Sequence, residues 1–111
     1  MKTIAMTPDA EAGYFPMEAI LARTKTHTVR KGTITGDREI TVQRIRTGVV
    51  LRFTRAETMS REEFLTDEFA RADGLPSAEI LAKLLRRFYG RVPETMVCNH
   101  FEVVEEAQGG R

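Results

Sequence analysis

At 111 residues, 41% of them hydrophobic and 30% charged, the chain has the size and composition of one folded domain, which excludes disordered, fibrous and two-core readings. No apolar run approaches the roughly 20 residues that cross a bilayer, and residues 1–12 lack the apolar stretch of a secretory signal, so a cytoplasmic chain with no membrane partner is expected. A net charge of +1 says little about partners by itself, and a single cysteine, Cys98, excludes an internal disulfide.

Residues 1–14 carry Pro8, Asp9 and Gly13 without periodicity and read as a flexible lead-in. Phe15, Ala19, Ile20 and Ala22 share one helical face, with Pro16 suited to a first turn, so a short helix is expected over Phe15–Arg23. Thr26–Arg30 is rich in β-branched residues and reads as a strand. Turn signals at Lys31-Gly32 and Thr35-Gly36-Asp37 precede two further strands, Ile40–Val42 and Val49–Thr54. In the second, Val49, Leu51 and Phe53 alternate with Val50, Arg52 and Thr54. Ile45 is out of phase with Ile40 and Val42, which predicts a bulge or turn near Arg44.

Ser60-Arg61-Glu62-Glu63 has the form of a capping box and predicts a helix of about three turns ending near Asp73-Gly74. Ser77 then caps a second helix whose Ile80, Leu81, Leu84, Leu85 and Phe88 keep a helical period, and Gly90 ends it. Thr95–Val104 supplies a last strand before a polar tail over residues 105–111. The order of elements predicts an α+β domain over residues 15–104 with a small, closed, mostly antiparallel sheet flanked by about three helices.

Charge is unevenly distributed along this order. Arg23 to Arg55 contains nine basic residues against Asp37 and Glu39, a local excess of +7, whereas Glu57 to Asp73 contains six acids against Arg61 and Arg71, an excess of −4. The basic block can supply phosphate contacts, or its charges can simply alternate outward and pair with the acidic helix. With six Phe, two Tyr and no Trp, an extended base-stacking platform is not expected, which favours a pocket over a long groove. Cys98 has only His27 and His100 beside it as soft or imidazole donors, so no metal and no other cofactor is expected. Those three residues read as strand and core positions, with Glu57 as a fallback carboxylate.

The segment from Ala19 to Arg30, with Ile20-Leu21, Lys25-Thr26 and Thr28-Val29-Arg30, resembles the signature of the ASCH family, loosely I-L-x-G-x-K-T-x-T-x-R. Gly36-Asp37, the acidic junction from Glu68 to Glu79, Tyr89 and the late Phe101 resemble further family features, so the likeness covers about Phe15 to Val104. It implies a PUA-like pseudo-barrel with a cleft facing the signature and roles in RNA binding. One branch looks like metal-independent amidohydrolases that remove the acetyl group of N4-acetylcytidine with a lysine, a threonine and a glutamate. Carried over, these are Lys25, Thr28 and Asp73, the last shorter by one methylene. Arg23 stands where the family usually has glycine.

Three functions follow as expectations. The first is an RNA- or modified-nucleoside-binding module using Arg23, Lys25, Arg30, Lys31 and Arg52, as a monomer. The second is deacetylation of N4-acetylcytidine through Lys25, Thr28 and Asp73, which requires burial or a cationic neighbour such as Arg23 or Arg30 to lower the Lys25 pKa. The third is a non-catalytic protein-interaction domain using the acidic helix around Glu62 to Asp73.

Overall fold

The computed structural model describes residues 1–106, so residues 107–111 of the polar tail lie outside the described residues. The elements run β1 (Thr3–Ala5), α1 (Pro16–Leu21), β2 (His27–Arg30), β3 (Gly36–Val42), β4 (Ile45–Ser60), α2 (Arg61–Phe64), α3 (Asp67–Ala72), α4 (Ala78–Tyr89) and β5 (Thr95–Glu105). One five-stranded sheet has the order β1-β3-β4-β5-β2, with β1 parallel to β3 and every other pair antiparallel. It curls into a half-barrel with β1 and β2 as its two edges, and four helices pack around it, an α+β pseudo-barrel.

The curl has a local cause. β4 is 16 residues long and shifts register against β5 between Val50 and Leu51 and again between Phe53 and Arg55; such irregularities bend a strand and increase its twist. The β3–β4 connection is a two-residue turn, Gln43-Arg44, and both residues have positive φ, 51° and 68°. That is the geometry a tight hairpin demands, reached here without glycine, and it accounts for the phase break at Ile45.

The buried residues form two clusters in this one domain, where the chain length favoured a single core. Val49, Leu51 and Phe53 turn inward as their alternation predicts and pack with Ile4, Ile20 and Ile40. Leu81, Leu84 and Leu85 of α4 pack with Phe64, Leu75 and Met96 in the second, each leucine contributing about 1.5–3 kcal/mol by leaving water. Ser77 caps α4 through Ile80 N at 3.3 Å, and Gly90 closes it at φ 81°. Phe88, expected on the buried face, is instead 57% exposed.

Two local expectations need correction. The predicted three-turn helix is two helices, because Leu65 leaves helical geometry and Thr66 starts a fresh N-terminus by accepting from Phe69 N at 3.1 Å. The Ser60–Glu63 capping box is present ahead of the first of them. The chain before Phe15 is also not a frayed lead-in: Thr3–Ala5 pairs with Glu39–Thr41, and Ile4, Met6 and Tyr14 are buried. Ile4→Ala is therefore expected to cost about 2–5 kcal/mol in a urea melt, the loss typical of a packed core position. A cost within about 0.5 kcal/mol, typical of a surface site, would show that β1 does not contribute to the core.

Candidate functional site

The unclosed side of the half-barrel leaves a seam between β1 and β2, and a cavity of about 270 Å³ occupies it. Ala5, Met6 and Thr7 line one edge, Thr28, Val29 and Arg30 the other. Leu81, Leu84, Leu85, Phe88 and Tyr89 of α4 form an apolar roof, and Tyr14 and Asp73 complete the wall. Arg30 spans the seam: it donates to Ala5 O at 2.8 Å and, through Nε, to Thr28 Oγ1 at 3.2 Å.

Lys25 sits behind this wall. Its side chain is wholly buried, and Nζ donates to Asp73 Oδ1 at 2.6 Å and to Asp73 O at 3.0 Å. The Tyr14 ring lies 5.6 Å from Nζ. Two features of the chain produce this meeting. After α1, Thr24 N and Lys25 N both donate to Ala19 O, folding the chain back toward β2. After α3, Gly74 takes φ 89° directly after Asp73, and a Cβ there would stand 3.7 Å from Lys25 Cδ, so glycine supplies the left-handed turn beside the lysine.

Burial alone pushes the Lys25 pKa down, but the Asp73 carboxylate and Tyr14 outweigh it and hold the pKa above its ordinary value. The lowered pKa that a lysine base or nucleophile would require is therefore not met, with Asp73 opposing it by favouring the ammonium. Neither arginine touches Lys25: Arg23 bonds to Leu21 O and Glu106, while Arg30 faces Thr28 and Ala5. Lys25 is accordingly an ammonium that fixes Asp73, not a free amine. His27 Nε2 is 3.4 Å from Asp73 Oδ1, but burial pulls the imidazole pKa down to about 4. It stacks on Phe69 with ring centroids 4.7 Å apart.

The other expected residues divide. Thr28, Arg30 and Asp73 share the cavity, and Lys31 reaches its rim with Nζ 4.8 Å over the Tyr89 ring. Arg52 is exposed and pairs with Asp37 at 3.0 Å, away from the cleft lining. Arg23 is exposed and takes φ 64° although it is not glycine; its guanidinium covers the Leu21 carbonyl at the end of α1. Within the basic block, Arg46 pairs with Glu39 and Arg55 with Glu57, so these cations meet strand acids and not the acidic helix. Tyr14 and Met6 were not anticipated as cleft residues; the Gly13-Tyr14-Phe15-Pro16 run of aromatics ahead of a helix start was the available signal.

Lys25→Ala is expected to destabilise the fold by about 3–5 kcal/mol, because it strands the buried Asp73 carboxylate. The double change Lys25→Met with Asp73→Asn should recover part of that loss in the same denaturant titration. Equal midpoints for wild type and Lys25→Ala would mean that the pair carries no stability. Tyr14 gives a pH test, since burial raises its pKa above the ordinary 10.0. Above pH 10 the unfolded chain then releases a proton that the folded chain keeps, so stability falls as pH rises through that window. Phenolate absorbance reads this without tryptophan interference, and Tyr14→Phe should remove the late-titrating phenol. An unchanged titration curve would show that Tyr14 is not buried.

No protein-family model matches the chain, and no curated protein matches it in sequence. Solved structures do match in three dimensions. Protein EF3133 from Enterococcus faecalis V583, of family DUF984, superposes with a TM-score of 0.63 at 20% identity, covering 95% of this chain and 77% of that one. An ASCH domain from Lactobacillus crispatus JV V101 superposes with a TM-score of 0.68 at 15% identity, covering 94% and 82%. Among the described residues no helix is long and apolar enough to cross a membrane. The likeness in three dimensions agrees with the resemblance carried by Ile20 to Arg30: this chain has the fold of an ASCH domain.

Proposed function

We propose that the seam cleft binds a free nucleoside, a modified cytidine being the ligand class that its chemistry suits. The observation that carries this reading is the composition of one small cavity: an apolar roof from α4 over a polar wall of Thr28, Arg30 and Asp73. Phe88 and Tyr89 offer aromatic faces to a base. The Asp73 carboxylate accepts from the exocyclic N4–H, and Thr28 offers a hydroxyl to a carbonyl or sugar. At about 270 Å³ the cavity falls just below the roughly 300 Å³ at which drug-sized ligand pockets begin. That size suits a nucleoside better than a strand of RNA, and the partnering of Arg23, Arg46, Arg52 and Arg55 leaves less free charge for phosphates.

A second reading, hydrolysis of the N4-acetyl group, is favoured by one feature. Asp73 faces the cavity while Lys25 anchors it from behind. In that reaction Asp73 takes a proton from water as the water oxygen attacks the acetyl carbonyl. The carbonyl–N4 bond then breaks, N4 receives that proton, and cytidine and acetic acid leave, the acid giving its proton to solvent. Thr28 orients the carbonyl or the water, and Lys25 stays an ammonium. The shorter side chain of Asp73 still reaches Lys25 at 2.6 Å.

Titrating cytidine, N4-acetylcytidine and single-stranded RNA at two salt concentrations, with chromatography for released cytidine, tests both readings. Saturable, salt-insensitive nucleoside binding that weakens about five- to tenfold in Thr28→Val, the loss of roughly one hydrogen bond, is the expected result. Salt-sensitive RNA binding without nucleoside binding, or no binding of any of the three, would overturn the proposal. Release of cytidine that disappears in Asp73→Asn, measured on protein checked for folding, would establish the hydrolytic reading; bound N4-acetylcytidine left intact would remove it.

A further inference from the structure

The single cysteine and both histidines of the chain are far apart in sequence, yet strand register brings all three to one place. Cys98 and His100 alternate on β5 and so point to the same side of the sheet. His27 on β2 is the direct partner of His100, and Glu57 on β4 is the direct partner of Cys98. One ligand atom from each of His27, Cys98 and His100 lies within 4.8 Å of the other two. His100 Nε2 stands 3.5 Å from Cys98 Sγ and 2.7 Å from Glu57 Oε1.

We infer that His27, Cys98, His100 and Glu57 form a binding site for zinc or a divalent metal of the same borderline softness. The donor set of two imidazoles, one thiolate and one carboxylate is one that zinc takes. Bond lengths of about 2.3 Å to sulfur and 2.0–2.1 Å to nitrogen separate S and N by about 3.6 Å in a tetrahedral site, and the Cys98–His100 pair already stands at 3.5 Å. The Glu57–His100 contact at 2.7 Å occupies the edge that the metal would open. Among His27, Cys98 and His100 the separations, up to 4.8 Å, must close by about 1 Å to reach the same edge length, and Glu57, now placed against His100, must turn in with them.

Two further observations point to a ligand here. His27 Nε2 is buried without a hydrogen-bond partner, although Asp73 Oδ1 is 3.4 Å away. A metal-bound histidine commonly gives its other ring N–H to a carboxylate. Coordination through Nδ1 would leave Nε2 to Asp73 in that relation, turning an orphaned buried atom into a supporting contact. Access is provided as well: Cys98 and His27 are buried, while the Glu57 side chain is 49% and that of His100 21% exposed, so an ion can enter from that side. The expectation of no metal rested on there being only one cysteine and two histidines, and Glu57 adds a fourth donor beside them.

The site is separate from the nucleoside reading of the cleft and is tested without a cleft ligand. Full-length protein, reduced and stripped with chelator, is titrated with cobalt(II) and then with zinc(II). One equivalent of cobalt should give a thiolate-to-metal charge-transfer band that zinc abolishes, and one equivalent of zinc should raise the melting temperature. Cys98→Ser should remove the band, and both Cys98→Ser and His100→Gln should weaken zinc by more than the roughly 10- to 100-fold that loss of an outer partner costs. Glu57→Gln, at an exposed position that leaves the cores intact, should weaken it too. No band and no thermal shift in the reduced wild type would overturn the site, as would zinc binding of undiminished strength in folded Cys98→Ser and His100→Gln.

Discussion

The Lys25–Asp73 ion pair is the constraint from which the rest of the cleft is built. Two charges withdrawn from water cost several kcal/mol each unless their partners are close and complete. Here Nζ meets both a carboxylate oxygen and the carbonyl of the same residue. That double contact fixes the Asp73 backbone as well as its side chain. It therefore ties the α1–β2 junction to the turn between α3 and α4, segments 48 residues apart, and sets the position of α4 over the sheet. Any ligand in the seam meets an Asp73 whose orientation was decided by folding.

The half-barrel adds a second condition. A closed barrel would fill its interior with side chains, whereas β1 and β2 are not neighbours in this sheet and leave space between them. Arg30 bridges the two edges through Ala5 O, holding the seam at a fixed width without a backbone ladder. It also covers backbone groups that an unpaired strand edge would otherwise present to another chain. Cleft and closure are thus properties of the same arginine.

Much of this was legible from local signals and the rest from none. Ser77 and Gly90 bracket α4, and the leucines between them keep one period, so that helix could be read directly. The alternation of Val49, Leu51 and Phe53 fixed the inward face of β4, and the segment from Ile20 to Arg30 carried the fold resemblance. β1 could not be read, because three residues hold no periodicity and gain their stability from pairing with residues 39–41. The break at Thr66 was hidden because its capping hydroxyl lies inside a run that is helix-compatible on both sides. Lys25 was placed at the right junction but facing the cleft, since its burial depends on Asp73, Gly74 and Tyr14. The proximity of His27, Cys98, His100 and Glu57 is a product of strand register, which spacing along the chain does not encode.

The N-terminal edge of the cleft has a consequence for how such a domain diversifies. Ala5 and Thr7 line the cavity and are themselves exposed, on or beside a strand that is paired along one side only. Exchanges at these two positions alter the shape offered to a ligand while leaving the buried ion pair and both cores in place. The positions that shape this edge of the seam are thereby distinct from the neighbouring ones that keep the domain folded, Ile4 and Met6.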